Sequence, residues 1–179
     1  LRLAAPVVAA RGDRVVLRTE ATVGGAVALD PAPPRGRDAE RDRLLDEGDA
    51  RSIVRALVSR PVRVESLAGR ALLDGADLEE GLDAVRVVEG WAFADEWLEE
   101  TSAGVEERLR ARAMEAPLEP GLPLGELLPA ELWAPVVLPL LPVERRGGTA
   151  YLPGASASLG SRADAAAELE AVLAASGLV

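Results

Sequence analysis

The segment Thr22–Pro31 constrains the fold of this chain more than any other stretch, because it separates two kinds of sequence pattern. Apolar residues alternate along it, which predicts a strand, and the pair Gly24-Gly25 permits a bulge or a close backbone approach. The pair Asp30-Pro31 ends that strand. Residues before the segment predict β structure, and residues after it predict a linker that leads into helices. The pattern therefore predicts an α+β fold, mainly α, that begins with a short β part.

Residues 1–30 predict three strands, at Val7-Val8, at Val15–Leu17 and along the segment just described. A turn at Arg11–Asp13 would join the first two strands. Three strands without a partner sheet would leave an open edge and would be marginally stable alone. We therefore interpret residues 1–30 as the end of a larger β-barrel.

Residues 31–48 predict a stiff, polar linker that is rich in proline, arginine and aspartate. A charged helix is expected to begin near Asp38. The linker holds a short cluster of arginines interleaved with carboxylates, and this mixture favours a solvated connector over a phosphate site. The arginines of the cluster are Arg35, Arg37, Arg41 and Arg43.

Residues 49–94 predict three short helices closed by a hairpin. Asp49 is a plausible N-cap of the first helix, the second is expected over Glu65–Leu73, and Asp77 is expected to cap the third. A two-stranded hairpin then follows over Val85–Phe93. Three helices followed by such a wing predict a winged helix.

Residues 95–154 predict a second unit of the same kind. It begins with a longer helix over Asp95–Met114 and ends in a hairpin over Val143–Leu152, where Gly147-Gly148 can adopt the positive φ angles of a tight turn. Between them, Pro129 fits the first position of a helix that would carry Leu132 and Trp133.

Residues 155–179 predict the first helix of a truncated third winged helix. The helix is expected over residues 161–176, with Ser161 as a possible N-cap.

Composition removes several kinds of chemistry from consideration, since the chain contains no Cys, His, Lys, Asn or Gln. Disulfides, thiolate or imidazole metal sites, Ser-His and Cys-His pairs and a P-loop lysine are all excluded. Adjacent glutamates such as Glu79-Glu80, Glu99-Glu100 and Glu106-Glu107 are expected on solvated helix faces rather than in a cleft. We therefore expect no catalytic, cofactor-binding or metal-binding residues in this chain, and the large aromatic residues are expected in small cores.

The net charge of -10 argues against broad nucleic-acid affinity, because such affinity depends on neutralising phosphates with basic residues. The helix expected near Trp133 also lacks base-reading donors, and Pro135 and Pro139 should interrupt it. Four arginines remain as candidate nucleic-acid contacts, two at the second wing and two beside the second helix of the first unit: Arg145, Arg146, Arg63 and Arg70. Two guanidiniums on the second wing would be able to fork onto one phosphate.

The order of these motifs resembles the C-terminal part of bacterial selenocysteine-specific elongation factors. Pro6-Val-Val, Gly12–Arg18 and Thr22–Pro31 are similar to the end of that family's third, barrel domain, with departures at Val15 and Ala26. The two units are similar to the tandem winged helices that follow this barrel. Their matching pieces are Glu89-Gly-Trp-Ala-Phe-Ala in the first wing, the long helix, Pro117-Leu-Glu-Pro-Gly121 and the second wing, although a histidine that often precedes this last turn is missing.

The resemblance implies a cytoplasmic, monomeric parent protein that uses GTP and Mg²⁺ and has no membrane segment. Its GTPase domain would lie upstream, so this fragment would be non-catalytic. The implied partners of the parent are selenocysteinyl-tRNA, the ribosome and an mRNA hairpin beside a UGA codon. The alternative is a winged-helix transcriptional regulator or a protein-interaction module.

Overall fold

The structure is a computed structural model that describes residues 7–18, 20–36, 38–157 and 163–176. Over these residues the fold is α+β, with eight α-helices, one 3-10 helix and eight short strands. The strands form one two-stranded sheet and two three-stranded sheets, all antiparallel. The chain divides into two compact units, Leu1–Leu98 and Glu99–Val179.

The first unit begins with a β-hairpin and continues as four helices around a small sheet. Its sheet has the strand order β3-β5-β4. The elements are β1 (Arg14–Arg18), β2 (Thr22–Val27), α1 (Ala39–Glu47), α2 (Ala50–Leu57), β3 (Val62–Arg63), α3 (Val64–Ala68), α4 (Gly75–Leu82), β4 (Arg86–Val88) and β5 (Trp91–Phe93).

The N-terminal hairpin contains two strands, so the prediction of a strand at Val7-Val8 is wrong. Both valines are exposed, and the chain instead enters β1 through a tight turn over residues 10–13. Gly12 adopts a φ of +90° there, and its N–H donates to the carbonyl of Ala28. Residues 7–10 belong to no strand, and the turn predicted at Arg11–Asp13 leads directly into β1.

Two contacts from Arg11 fix the base of this hairpin to the helical part of the same unit. The Arg11 N–H donates to the carbonyl of Ala71 at 2.9 Å, and its Nε donates to the carbonyl of Leu45 at 2.7 Å. Leu29 packs on the cluster that contains Leu45 and Ile53. The β part of this unit is therefore docked on its helices through both polar and apolar contacts.

The interpretation of the arginine cluster as a solvated connector is wrong for Arg41. Its Nε and Nη2 both donate to Oδ2 of Asp30, at 3.0 and 2.8 Å, and the Asp30 side chain is only 8% exposed. Asp38 caps α1 by accepting the backbone N–H of Arg41. Arg43 pairs with Glu47 on the exposed face of α1, whereas Arg37 lies outside the described residues.

The core of the first unit is made of two neighbouring sets of buried apolar residues. One set contains Leu45, Ile53 and Leu72, and the other contains Val54, Val58, Leu67 and Ala92. Helix α2 contributes to both sets because Ile53 and Val54 face different directions on its buried side. Gly81 of α4 lies against α2 so closely that an added Cβ would be 2.4 Å from Cγ2 of Val54.

Two helix boundaries in this unit differ from the prediction. The second helix ends at Ala68 rather than near Leu73, because Gly69 caps it and Ala71 turns the chain with a φ of +52°. The third helix is capped by Asp74, three residues before the predicted cap. Asp77 instead supplies the N–H that the Asp74 carboxylate accepts at 2.8 Å.

The second unit has a similar order of elements, and its sheet has the strand order β6-β8-β7. Its first helix begins before Glu99 and is the longest in the described part of the chain. The elements are α5 (Asp95–Glu115), β6 (Leu122–Pro123), α6 (Leu124–Leu127), α7 (Ala134–Val137), the 3-10 helix η1 (Leu138–Leu140), β7 (Glu144–Arg146), β8 (Thr149–Tyr151) and α8 (Ala163–Ala175).

The region around Pro135 departs from the prediction that Leu132 and Trp133 lie within a helix. Helix α7 begins after Trp133, because Pro135 occupies the first turn, where its missing N–H costs nothing. Leu132 is 82% exposed while Trp133 is buried. The expected interruption at Pro139 is confirmed, since the helix changes there to the short 3-10 segment.

Both wings are confirmed as hairpins with two-residue turns. Glu89 and Gly90 have φ values of +48° and +76°, as a type I′ turn requires. In the second wing Gly147 has a φ of +61°, whereas Gly148 does not adopt a positive φ. The predicted cap at Ser161 lies outside the described residues.

Candidate functional site

The arginine pair of the second wing lies on β7, an edge strand of its sheet. Successive strand residues place their side chains on opposite faces, so Arg145 and Arg146 do not converge on a single point. Within the described residues the Arg145 side chain makes no hydrogen bond or ion pair, and it is exposed. The guanidinium of Arg145 is therefore free, whereas that of Arg146 makes contacts within the wing.

Arg146 is held by two neighbours on its own face of the wing. Its Nη2 donates to Oε2 of Glu144 at 2.8 Å, and its guanidinium lies 5.0 Å from the centre of the Tyr151 ring. The hydrogen bond from Arg146, assisted by the N–H of Gly154, lowers the pKa of Glu144. Arg146 therefore contributes to the structure of the wing as well as to its charge.

The two candidate arginines of the first unit lie at opposite ends of helix α3. Arg63 is on β3, where its guanidinium lies 4.5 Å from the centre of the Trp91 ring and Nη1 donates to the Glu89 carbonyl at 3.4 Å. Arg70 follows the helix in an exposed turn, and within the described residues its side chain makes no hydrogen bond or ion pair. Arg63 is therefore a structural contact of the first wing, and Arg70 is free.

The helices that precede each wing carry little positive charge. Helix α4 contains Asp77, Glu79 and Glu80, and no arginine. Helix α7 contains no charged residue at all, and Val137 on it is buried. Neither helix offers the guanidiniums or amides that usually read base edges in a groove.

Two further arginines organise the second unit, and sequence reasoning missed both. The guanidinium of Arg108 donates to the carbonyls of Glu126 and Leu127, which lie at the end of α6. Arg112 donates from Nε to the Glu119 carbonyl at 3.1 Å, and its Nη2 is 3.5 Å from the Glu119 carboxylate. The spacing of four residues places Arg108 and Arg112 on one face of α5, and this spacing was the sequence feature from which a shared structural role could have been predicted.

An open groove of about 410 Å³ lies beside the second wing, entirely within the second unit. Its wall includes both charged and aromatic groups, and the backbone at Gly121 forms part of it. An added Cβ at Gly121 would be 2.5 Å from Cε1 of Tyr151. The polar and aromatic lining residues are Arg112, Glu119, Arg146, Thr149 and Tyr151.

A second open depression, of about 660 Å³, lies on the first unit between α2 and the end of α4. Arg51 is 3.7 Å from carboxylate oxygens of both Glu80 and Asp83, and all three side chains are more than half exposed. Arg55 lines the same depression one turn further along α2. Two carboxylates therefore offset the two guanidiniums here.

The remaining sequence hypotheses concern carboxylates and aromatic residues. The expected solvated positions are confirmed for both glutamates of the first two pairs and for Glu107, which are exposed, whereas Glu106 is half-buried and pairs with Arg110. In the described ranges no three acidic side chains gather in a group suited to a metal ion. Trp91, Phe93 and Trp133 are buried, so the expected core role is confirmed for these three. Trp97, which contacts Phe93 edge-on at 5.7 Å, and Tyr151 are only half-buried.

The chain was also compared with known proteins. No protein-family model matches this sequence, and no curated protein matches it significantly. The helices seen in the described part of the chain include none that is long and apolar enough to cross a bilayer.

Proposed function

We propose that this chain is a non-catalytic, C-terminal part of a selenocysteine-specific elongation factor. In this proposal the N-terminal hairpin is the end of a barrel domain, and each compact unit contributes one winged helix. The two winged helices act mainly as a spacer between a tRNA-binding body and RNA-binding modules further along the parent chain. GTP, Mg²⁺, selenocysteinyl-tRNA, the ribosome and the mRNA hairpin are partners of the parent in this proposal.

The observation that carries the proposal is the equivalence of the two units. Each has the order helix, strand, helix, helix, hairpin, and each sheet places its first strand against its last. The register also agrees, because Val62 pairs with Ala92 as Leu122 pairs with Ala150. This order and pairing are typical of winged helices.

A backbone hydrogen bond repeats at the same place in both units. The Val64 N–H donates to the Gly90 carbonyl at 3.0 Å, and the Leu124 N–H donates to the Gly148 carbonyl at 2.9 Å. Each bond ties the start of the second helix to the turn of the wing. Tandem units of this kind, after a β-hairpin, are what the resemblance of the sequence motifs implies.

A spacer role agrees with the charges on the two units. Helix α4 is acidic and helix α7 is uncharged, so neither supports groove reading of duplex DNA. Arg145 and Arg70 are exposed guanidiniums, and they remain the candidates for local contacts with RNA phosphates. The same charges disfavour the alternative, a winged-helix transcriptional regulator.

A salt-titrated binding assay tests the RNA part of the proposal. We expect weak binding of an RNA hairpin at 50 mM salt and no measurable binding of a DNA duplex of equal length. R145Q should weaken RNA binding severalfold, while R43Q, which removes the same charge from a solvated pair on α1, should not. Tighter binding to duplex DNA than to RNA would favour the regulator instead.

The coding DNA around this chain tests the assignment to the parent family. We expect the upstream reading frame to encode G-x-x-x-x-G-K-[ST] and a further β-rich region, since a P-loop binds the phosphates of GTP. Further winged helices are expected downstream. A reading frame without a nucleotide-binding motif would contradict the assignment.

A further inference from the structure

The two equivalent sheets differ on the face that carries the large side chains of the last strand. Register places Thr149 where the first unit has Trp91, and Tyr151 where it has Phe93. In the first unit both aromatics are buried, under Arg63 and Trp97 respectively.

The covering aromatic of the first unit has no counterpart in the second. Trp97 lies four residues after Phe93, and the residue four after Tyr151 is Ala155. Thr149 and Tyr151 are accordingly only half-buried, and the groove described above opens over them. The sheet face that Trp97 contacts in the first unit therefore borders an open groove in the second unit.

Arg112 is the cation in this groove that is able to bind an anionic ligand. Its Nε is fixed by the Glu119 carbonyl, which orients the guanidinium, but the Glu119 carboxylate is 3.5 Å from Nη2 and 82% exposed. An exposed pair at this distance is weak and exchanges readily with other anions. Arg146 differs, because Glu144 holds it at 2.8 Å.

We propose that this groove binds one phosphate group of a single-stranded RNA segment, with Arg112 as the ligand of the phosphate. The phosphate displaces the Glu119 carboxylate and accepts hydrogen bonds from the outer nitrogens of the guanidinium. Thr149 and Tyr151 line the same groove, and in this proposal their hydroxyls contact the adjoining ribose. This inference rests on the proposed RNA-associated function and adds a site separate from Arg145.

Glu119 provides the decisive variant, because its backbone carbonyl orients Arg112 and its carboxylate competes with the ligand. E119Q keeps the carbonyl and removes the competing charge. We expect it to tighten binding of a uridine hexamer about two- to fivefold, the range expected for one exposed ion pair. E100Q is the matched control, since it removes the same charge from an exposed glutamate that is about 18 Å from Arg112 along α5.

The assay is a titration of the full chain followed by NMR at the Arg112 side-chain Nε–H. The hexamer should shift this resonance, E119Q should lower the Kd, and R112Q should reduce the salt slope by about 0.7, the contribution of one phosphate of single-stranded RNA. Inorganic phosphate at equal concentration should shift the resonance much less. Equal saturation by phosphate alone would overturn the RNA assignment.

Two other outcomes separate this inference from the proposed function. If E119Q and E100Q bind the hexamer equally, the groove is not the binding site. A lower RNA affinity of R145Q would then still support RNA binding at the wing. If the wild-type chain binds neither the hexamer nor an RNA hairpin at low salt, both the groove and the RNA-associated function are wrong.

Discussion

At the scale of single residues, Gly81 of helix α4 lies in close contact with helix α2. An added Cβ would lie 2.8 Å from the Ala50 carbonyl oxygen and 2.4 Å from a methyl group of Val54, which belongs to the core. We expect G81A to destabilise the protein by about 2–3 kcal/mol, because the helices must separate to admit the methyl group. Chemical denaturation of the two proteins measures this difference.

The control for that substitution is G104A, on the exposed side of α5. Nothing lies within 4 Å of an added Cβ at Gly104, and alanine is the better helix former. G104A should therefore stabilise the protein by about 0.5–1 kcal/mol. Equal effects of the two substitutions would contradict the close approach at Gly81.

Asp49 makes the stability of the first unit depend on pH. The backbone N–H of Ser52, followed by its hydroxyl, holds the pKa of the Asp49 carboxyl below its ordinary value. A lowered pKa in the folded state contributes stability above the ordinary carboxyl pKa, and this contribution is lost as the pH falls through the folded value.

D49N separates the charge of this cap from its hydrogen bond, since asparagine is also a good N-cap. We expect D49N to unfold with a shallower acid dependence than the wild type, measured by circular dichroism at falling pH. D49A should lose the cap at every pH and be less stable than D49N. Identical acid profiles for D49N and the wild type would refute the role of the charge.

Residue-level features divide into those that local sequence predicts and those that it does not. The cap at Asp49 was predictable, because an aspartate before an apolar helical repeat is a local signal. The constraint at Gly81 was not, because it arises from a helix 27 residues away in the sequence. The role of Arg112 was missed for the same reason, since its partner Glu119 lies outside its own helix.

At the scale of elements, the ion pair of Asp30 and Arg41 joins the end of the hairpin to helix α1. Removal of the guanidinium would leave a nearly buried carboxylate with a single backbone N–H donor, that of Ala32. We expect R41A to cost about 2 kcal/mol in the free energy of unfolding. R43A, which breaks an exposed pair on the same helix, should cost less than about 0.5 kcal/mol.

Urea unfolding of R41A, R43A and the wild type measures these costs. D30N/R41A should recover part of the lost stability, because it also removes the unpaired charge. If R41A and R43A are equally mild, the linker is held by the apolar contacts of Leu29 rather than by this pair.

Elements were predictable where one strong local signal defines them. Both wings follow from turn residues that accept positive φ, and both were placed within two residues of their observed ends. Helix ends near Ala68 and Trp133 were not, because several competing caps and prolines lie close together there. The strand predicted at Val7-Val8 failed since apolar composition alone does not supply a pairing partner.

At the scale of the whole molecule, the net charge of -10 sets the strength of any contact with nucleic acid. Long-range repulsion keeps the affinity low, so binding depends on the few exposed guanidiniums. We expect a plot of log K against log salt for single-stranded RNA with a slope between about -0.7 and -1.4, equivalent to one or two phosphates. A slope steeper than about -4 would show a basic surface that the structure does not display in its described residues.

The recurrence of helices and hairpins in the same order could be predicted from the sequence, because the apolar periodicity and the turn residues repeat along it. The difference between their sheet faces was not, because it depends on the register that pairs Glu144 with Tyr151 and Arg86 with Phe93. Register is fixed by the folded sheet rather than by composition.

The closure between Asp30 and Arg41 has a mechanical consequence. The backbone between Asp30 and the start of α1 would span about 30 Å if extended, yet the pair holds its two ends together. Under tension along the chain, this segment extends only after the ion pair and the contacts of Arg11 have broken. A pull on the hairpin therefore acts on the helices of its own unit before the connector is able to extend.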